Sequence, residues 1–578
     1  MDPTGWLLAD FADAYRAGTT VTAVIDATLA LLDDAPAGVL IGATLRDRAL
    51  ADAAALDALD APGRDPYPLF GVPFVVKDNI DVAHHPTTAG CPGYEYVAAA
   101  DATVVALLRA AGAVVVGKAN LDQFATGLVG TRSPYGTPPN TLDVDLVPGG
   151  SSSGSAVAVA LGLVPFALGT DTAGSGRVPA ALNGIVGVKP TLGRVSTYGI
   201  VPAMRRFDCP SVFARTVADA AVVADALSTP DRRDPFMRTP QRPSVFRDRP
   251  LIGVPALWPE RLELATSMTG LFDESVARLV ALGCEVVPVD IEPLLEIGAM
   301  LYGSALVAER SAAVGEAVEK GVAGLDPAVA TIIGRGNELS AIDAYRTEYE
   351  LILMRAACAG IWDRIDVLAL PTTPQLATLD EVDRDPFGRN EMLGRLTTFV
   401  NLLDLAAIVV PIRSRAERIA AGLQLIAPAW HDAELARLAQ SFEGGSATSP
   451  QQPCTVVVVG AHLRGLPLHH QLTDRRATFV RTGRTTADYR LYALAGTVPP
   501  KPGLVRVDAG EGAEIEVELW SMDYAEFGSF VEGVPAPLSI GTIQLADGTA
   551  HKGFLCEPVG LIGATDITSF GGWRAYLS

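Results

Sequence analysis

The sequence predicts an α/β domain built on a large buried sheet, followed by a smaller β-rich α+β domain. Three observations carry this. From Pro3 to about Phe442, helical patterns such as ATVVALLRAAGA (102–113) alternate with short apolar runs such as AVVVG (113–117), as expected where a sheet is buried on both faces. The segment GGSATSPQQP (444–453) then interrupts the pattern with linker composition. Beyond it, CTVVVVGAHL, RLYAL, IEVELW, GTIQL and HKGFL read as strands, and Asp547-Gly548 between the last two suits a two-residue type I′ hairpin, whose central residues both need positive φ. The expected division is a first domain over 1–443, a linker over 444–453 and a second domain over 454–578.

Taken in order, MDPTGWLLADFADAYRAG carries acids early and no basic segment before an apolar one, so it reads as a helix and not as a signal peptide. GVPFVVKDN (71–79) is an apolar strand ending in Lys77. A lysine desolvated there can become neutral enough to accept a proton; moving its pKa from about 10.4 to near 7 takes roughly 4 to 5 kcal/mol of environmental bias. A lysine snorkelling to the surface is the alternative. VPGGSSSGSA (147–156) places Ser151 after two glycines and leads into small residues that can begin a closely packed helix; a phosphate cradle is a weak reading because the Gly-Lys-Ser/Thr ending is missing. The apolar run Ala156–Leu168 is too short to cross a bilayer and contains Pro165.

GTDTAGSGRVPAA (169–181) holds Ser175 among small residues. Thr172, Ala173 and Gly174 can turn successive backbone N–H groups toward one point beside the hydroxyl, as an oxyanion hole requires; a plain Gly/Ser turn remains the alternative. A Ser-His-Asp arrangement would have to recruit His84, His85 or His431, none with further support. Asp171 and Arg177 flank the serine as an ion pair expected to brace the loop, with substrate contact as the alternative. In LYGSALVAERSAAV (301–314), Tyr302 and Arg310 stand eight residues apart, hence on roughly one face of a helix two turns long; an exposed helix with Glu309 and Arg310 as solvated charges is the alternative.

Composition narrows the class. Only 19% of the 578 residues are charged and 49% are hydrophobic, which suits extensive burial. Sixty-six acidic against 45 basic residues give a formal charge of −21, a field that repels nucleic acid and anionic membranes. The six cysteines lack C-x-x-C spacing, so neither a zinc site nor a disulfide framework is signalled, and a cytoplasmic location is expected.

Together and in this order, GVPFVVKDN, VPGGSSSGSA and GTDTAGSGRVPAA resemble the amidase signature family, over roughly residues 20–440. The resemblance implies a large mixed twisted sheet covered by helices and a Ser-cisSer-Lys triad. Lys77 would be general base and acid, Ser151 the relay on an unusual cis peptide, and Ser175 the nucleophile. The backbone N–H groups of Thr172, Ala173, Gly174 and Ser175 would form the oxyanion hole.

ANLDQFATGLVGTRSPYGTP (119–138), the alanine of DTAGSGRVPAA and VVVVGAHLRGLPLHHQL (456–472) are similar to the allophanate hydrolases within that family, whose appended domain is related in fold to γ-glutamyl cyclotransferases. This implies Gly127, Tyr302 and Arg310 as substrate-binding residues, the last two gripping the carboxylate of allophanate. It implies His462 as the key residue of the second domain, with His469 and His470 as competitors, in decarboxylating N-carboxycarbamate. It further implies a homodimer, a functional link to urea carboxylase, and no metal or organic cofactor. The alternative is another amidase, acting on an aryl or aliphatic amide or on a glutaminyl-tRNA precursor.

Overall fold

The computed structural model describes residues 2–59, 67–241, 245–413, 420–444, 454–475, 477–508, 510–522 and 524–577. The chain divides into two compact units, Met1–Ala447 and Thr448–Ser578. All of the expected linker except Gly444 lies outside the described residues.

In the first unit, β1 (Pro73–Lys77) opens a sheet, and a short hairpin, β2 (Pro86–Thr87) with β3 (Tyr96–Val97), stands apart from it. The sheet continues with β4 (Val114–Ala119), β5 (Phe166–Asp171), β6 (Val186–Lys189), β7 (Cys209–Ala214), β8 (Leu251–Pro255), β9 (Glu285–Val289), β10 (Val367–Pro371), β11 (Leu405–Arg413) and β12 (Ala420–Pro428). Its ten strands run β4-β1-β5-β7-β6-β11-β12-β10-β8-β9, with parallel and antiparallel neighbours mixed. The two faces can be read from residue alternation, since successive side chains of a strand point to opposite sides. Val367 and Ala369 of β10 and Ala406 and Ile408 of β11 join one large apolar cluster, whereas Leu368, Leu370, Leu405 and Ala407 join another. Each face therefore carries its own core under a layer of helices.

The expected helix at 102–113 is Thr103–Ala110, the adjoining strand is β4, and the N-terminal segment forms the helix Leu8–Arg16. Among the described residues no helix is long and apolar enough to cross a membrane. Strands β1 and β5 pair in parallel, Phe74 opposite Phe166 and Val76 opposite Leu168. Their C-terminal ends therefore emerge at the same edge of the sheet, where open α/β sheets bind ligands. Lys77 ends one strand and Asp171 the other.

The second unit has a five-stranded sheet, ordered β14-β17-β13-β19-β18, made by β13 (Cys454–Val458), β14 (Thr478–Arg484), β17 (Glu516–Met522), β18 (Leu538–Gln544) and β19 (Ala550–Cys556). A three-stranded sheet, β16-β15-β20, comprises β15 (Tyr489–Ala493), β16 (Pro502–Arg506) and β20 (Thr565–Asp566). The expected two-residue hairpin is not formed. Gln544 pairs with Ala550, and the N–H of Gly548 donates to Leu545 O at 3.0 Å while that of Leu545 donates to Thr549 O at 2.9 Å. Gly548 has φ +85° and Asp547 is not in the positive region, so the connection is a turn followed by a left-handed glycine. Asp547 is instead kept in place by its carboxylate, which accepts from the N–H and hydroxyl of Thr549.

Candidate active site

Lys77 is fully buried, so the snorkelling alternative fails. Its Nζ lies 2.7 Å from Ser151 Oγ and 2.8 Å from Thr170 Oγ1. Burial is the main influence on the amine and pulls its pKa down to about 7, against the attraction of Asp122, Asp208 and Asp171 and with the help of Arg310. An amine at that value is neutral in a large fraction of molecules at neutral pH, and both of its hydrogen-bond partners are hydroxyls.

Ser151 follows a cis peptide bond from Gly150 and precedes the helix Ser153–Ala160, which begins three residues earlier than the small-residue run suggests. Two contacts fix its loop. Ser152 Oγ donates to Thr170 O at 3.2 Å and accepts from Thr170 N–H at 3.4 Å, stitching the loop to the end of β5. The N–H of Asp122 donates to Ser151 O at 3.0 Å, and the Asp122 carboxylate accepts from the N–H groups of Gly130 and Arg132. Gly127 and Gly150 both press on that carboxylate, and a Cβ at either would collide with Oδ2. Gly127 thus permits this close approach.

Ser175, also buried, sits on the turn between β5 and the helix Val178–Asn183. Asp171 organises the turn. Its carboxylate accepts from Gly174 N–H at 3.0 Å, from Gly176 N–H at 2.9 Å and from two nitrogens of Arg177 at 2.9 Å each. Burial would raise the pKa of Asp171, but Arg177 and these donors hold it below the ordinary carboxylate value. Arg177 also donates to Thr397 O, Gln424 Oε1 and Asn401 Oδ1, so it is a brace with its donors spent inside the protein. Of the four N–H groups expected to face an oxyanion, that of Gly174 donates to the Asp171 carboxylate. The histidines lie elsewhere: His85 Nδ1 is 2.9 Å from Ala83 O, and His431 stacks on Phe246.

Tyr302 and Arg310 do meet, though not on one helix. The helix Glu292–Gly303 ends at Ser304, which is extended (φ −124°, ψ −174°) and caps a new turn by accepting from Leu306 N–H; the helix Ala308–Glu319 follows. Arg310 reaches back across this break, with one terminal nitrogen 3.3 Å from Tyr302 Oη and its guanidinium carbon 5.2 Å from the ring centre. Its other terminal nitrogen donates to Thr126 Oγ1 at 2.8 Å, one residue from Gly127. Arg310 is buried, its Nε has no partner, and among the described residues no carboxylate lies within ion-pairing distance. A buried guanidinium surrounded by hydroxyls and a carbonyl has the chemistry of an anion grip.

Residues 28–436 match the family described as Amidase. The chain belongs to the amidase family. Residues 454–578 of this amidase match the allophanate hydrolase C-terminal domain. The amidase is 42% identical over 544 residues to urea amidolyase of Lachancea kluyveri and 42% identical over 549 residues to that of Saccharomyces cerevisiae, covering 88% and 89% of this chain. It spans 30% of the length of each of those two proteins. The solved structure of Kluyveromyces lactis allophanate hydrolase is similar over 100% of this chain and 99% of its own, at 39% identity and a TM-score of 0.73.

In the second unit of the amidase, His462 lines a cavity of about 190 Å³ with Gln471, Lys501, Phe530 and Phe554. The imidazole stacks on Phe554 at 4.9 Å and meets the edge of Phe530 at 5.2 Å, and its Nε2 is 3.0 Å from Gln471 Oε1. Burial lowers its pKa, opposed by the Gln471 hydrogen bond. His469 packs on Trp520 and His470 is exposed; neither lines this cavity.

Sequence reasoning missed Thr170, the second partner of Lys77, and Asp208, which accepts from Thr172 Oγ1 at 2.5 Å. Thr170 lies in the same motif as Ser175, but only the register of β1 on β5 shows that it faces Lys77. Asp208 ends a loop with no spacing signal relative to the site.

Proposed function

We propose that this amidase hydrolyses allophanate in ATP-dependent urea degradation, downstream of urea carboxylase. The observation that carries the reading is Arg310, a buried guanidinium lacking a carboxylate, beside Tyr302 and near a lysine–serine pair. The carboxylate of allophanate supplies the missing anion, Gly127, packed on Asp122, shapes the loop beside Thr126, and the terminal amide is presented to Ser175. The full-length similarity to the Kluyveromyces lactis enzyme supports the same assignment.

In this mechanism neutral Lys77 takes the Ser151 proton as Ser151 takes that of Ser175, and Ser175 Oγ bonds to the amide carbon. The N–H groups of Thr172, Ala173 and Ser175 stabilise the oxyanion. As the C–N bond breaks, ammonia leaves with a proton returned through Ser151. Water, deprotonated by the same relay, then cleaves the acyl-enzyme and releases N-carboxycarbamate. The first domain (1–443) performs this chemistry. The second (454–578) acts on the product: one carboxylate leaves as CO2, the bonding pair stays on nitrogen, and His462 delivers the proton the nitrogen takes up. The remaining carbamate yields a second ammonia and a second CO2. The enzyme functions in the cytoplasm as a homodimer.

The test is ammonia release from fresh allophanate beside malonamate and indoleacetamide. We expect a strong preference for allophanate that Ser175→Ala abolishes. Turnover of the other amides alone would overturn the substrate, and residual turnover in Ser175→Ala would overturn the nucleophile. His462→Ala should keep the first ammonia and slow CO2 formation; unchanged CO2 kinetics would remove His462 from the mechanism.

A further inference from the structure

A cavity of about 400 Å³, far larger than a small amide needs, shares Tyr302 with the candidate site. Leu128, the residue after Gly127, lines it too, as do three arginines, Arg261, Arg335 and Arg395. The arginines are not equivalent. Arg261 pairs with Glu292 at 2.7 Å, and Arg395 donates to Arg261 O at 2.6 Å with Glu391 and Glu263 3.8 and 4.0 Å away. Arg335 is exposed and, among the described residues, its side chain makes no ion pair or hydrogen bond.

Arg335 is nevertheless held in place. It opens the short turn Arg335–Glu338, and the next residue, Gly336, lies directly against Ala308 and Ser311, where a Cβ would collide with the Ser311 hydroxyl. Ser311 Oγ in turn donates to Ile333 O. The turn is therefore seated on the first turn of the helix that carries Arg310, between residues 308 and 311. Tyr302 contacts Arg310 on one side and faces the Arg335 cavity on the other.

We propose that Arg335 is a specificity-determining residue that captures the carboxylate of the incoming anionic amide in this cavity before Arg310 and Tyr302 take it. The need follows from charge: an anion must approach a protein of net charge −21, and a cation at the rim of a cavity raises its capture rate. A guanidinium with no internal partner is free to receive the anion and release it inward. The inference rests on the anionic-substrate reading above.

The experiment compares allophanate with biuret, which carries a neutral carboxamide in place of the carboxylate, by stopped-flow association with Ser175→Ala protein with and without Arg335→Ala. Loss of Arg335 should slow allophanate association about tenfold and leave biuret within about twofold. With Ser175 intact, Arg335→Ala should lower kcat/KM for allophanate about tenfold with kcat little changed, flatten its dependence on ionic strength, and be largely rescued by Arg335→Lys. An unchanged allophanate association rate, or equal slowing for both probes, overturns the proposal. If wild-type enzyme fails to cleave allophanate while Arg335→Ala still slows anion association selectively, the functional reading falls and the role of Arg335 stands. If allophanate is turned over equally well with and without Arg335, the functional reading stands and the role of Arg335 falls.

Discussion

Two buried lysines on adjacent strands show what separates a reactive amine from a structural one. Lys77 and Lys118 belong to β1 and β4, paired in parallel with Val76 opposite Lys118. Lys118 Nζ lies 3.0 Å from Asp78 Oδ1 and donates to Ile80 O at 2.7 Å and Thr87 Oγ1 at 3.1 Å. Its acceptors include a carboxylate and a carbonyl, groups that cannot give a proton back, and Asp78 is itself tied to Thr88. Lys77 has two hydroxyls instead. A hydroxyl accepts from an ammonium and donates to an amine equally well, so the contact survives either protonation state. Burial lowers both pKa values, and only Lys77 combines that with reversible partners. Depth of burial alone therefore does not mark the base; the chemistry of its neighbours does.

Three substitutions probe that contrast, beginning with the largest effect. Lys77→Met should reduce kcat about 10³- to 10⁴-fold, the range lost with a general base, while the unfolding midpoint changes little; preserved turnover would erase the distinction. Lys118→Met should do the opposite. It strands Asp78 as a buried unpaired charge, costing about 3 to 5 kcal/mol of stability measured by denaturant titration, with kcat of the folded enzyme largely kept. The smallest effect is in pH dependence. Lys77 must be neutral to accept a proton, so kcat/KM should fall as pH drops through about 7. The groups that bias it are Asp122, Asp171 and Asp208, which favour its charged form, and Arg310, which disfavours it. Asp208→Asn removes one attraction, so the acid limb should move to lower pH; an unmoved limb would show that Asp208 only anchors Thr172.

Much of the site is legible in the sequence because its residues sit in short local motifs. Ser151 and Ser175 are each preceded by glycines, and Lys77 ends an unmistakable apolar strand. What fails are inferences that assume local regularity. A spacing of eight positions from Tyr302 to Arg310 suggests one helix, but Gly303 and the capping hydroxyl of Ser304 break it. Asp-Gly suggests a two-residue turn, but the Asp547 side chain finds a better partner in Thr549. The backbone sequence alone cannot reveal that Asp171 claims the N–H of Gly174.

The sequence by itself determined the two-part architecture, the alternation of buried strands with helices, and the serines and lysine available for amide chemistry, because apolar periodicity and glycine placement are local properties. Only the tertiary structure decided which groups act on one another. Lys77 meets Thr170 across 93 residues, Arg310 meets Thr126 across 184, and the turn beginning at Arg335 rests on Ala308 and Ser311 because Gly336 lets two segments touch. Such contacts depend on strand register and close packing between distant segments, and on the desolvation that follows, which is why the protonation of Lys77 is a property of the fold and not of its neighbours in sequence.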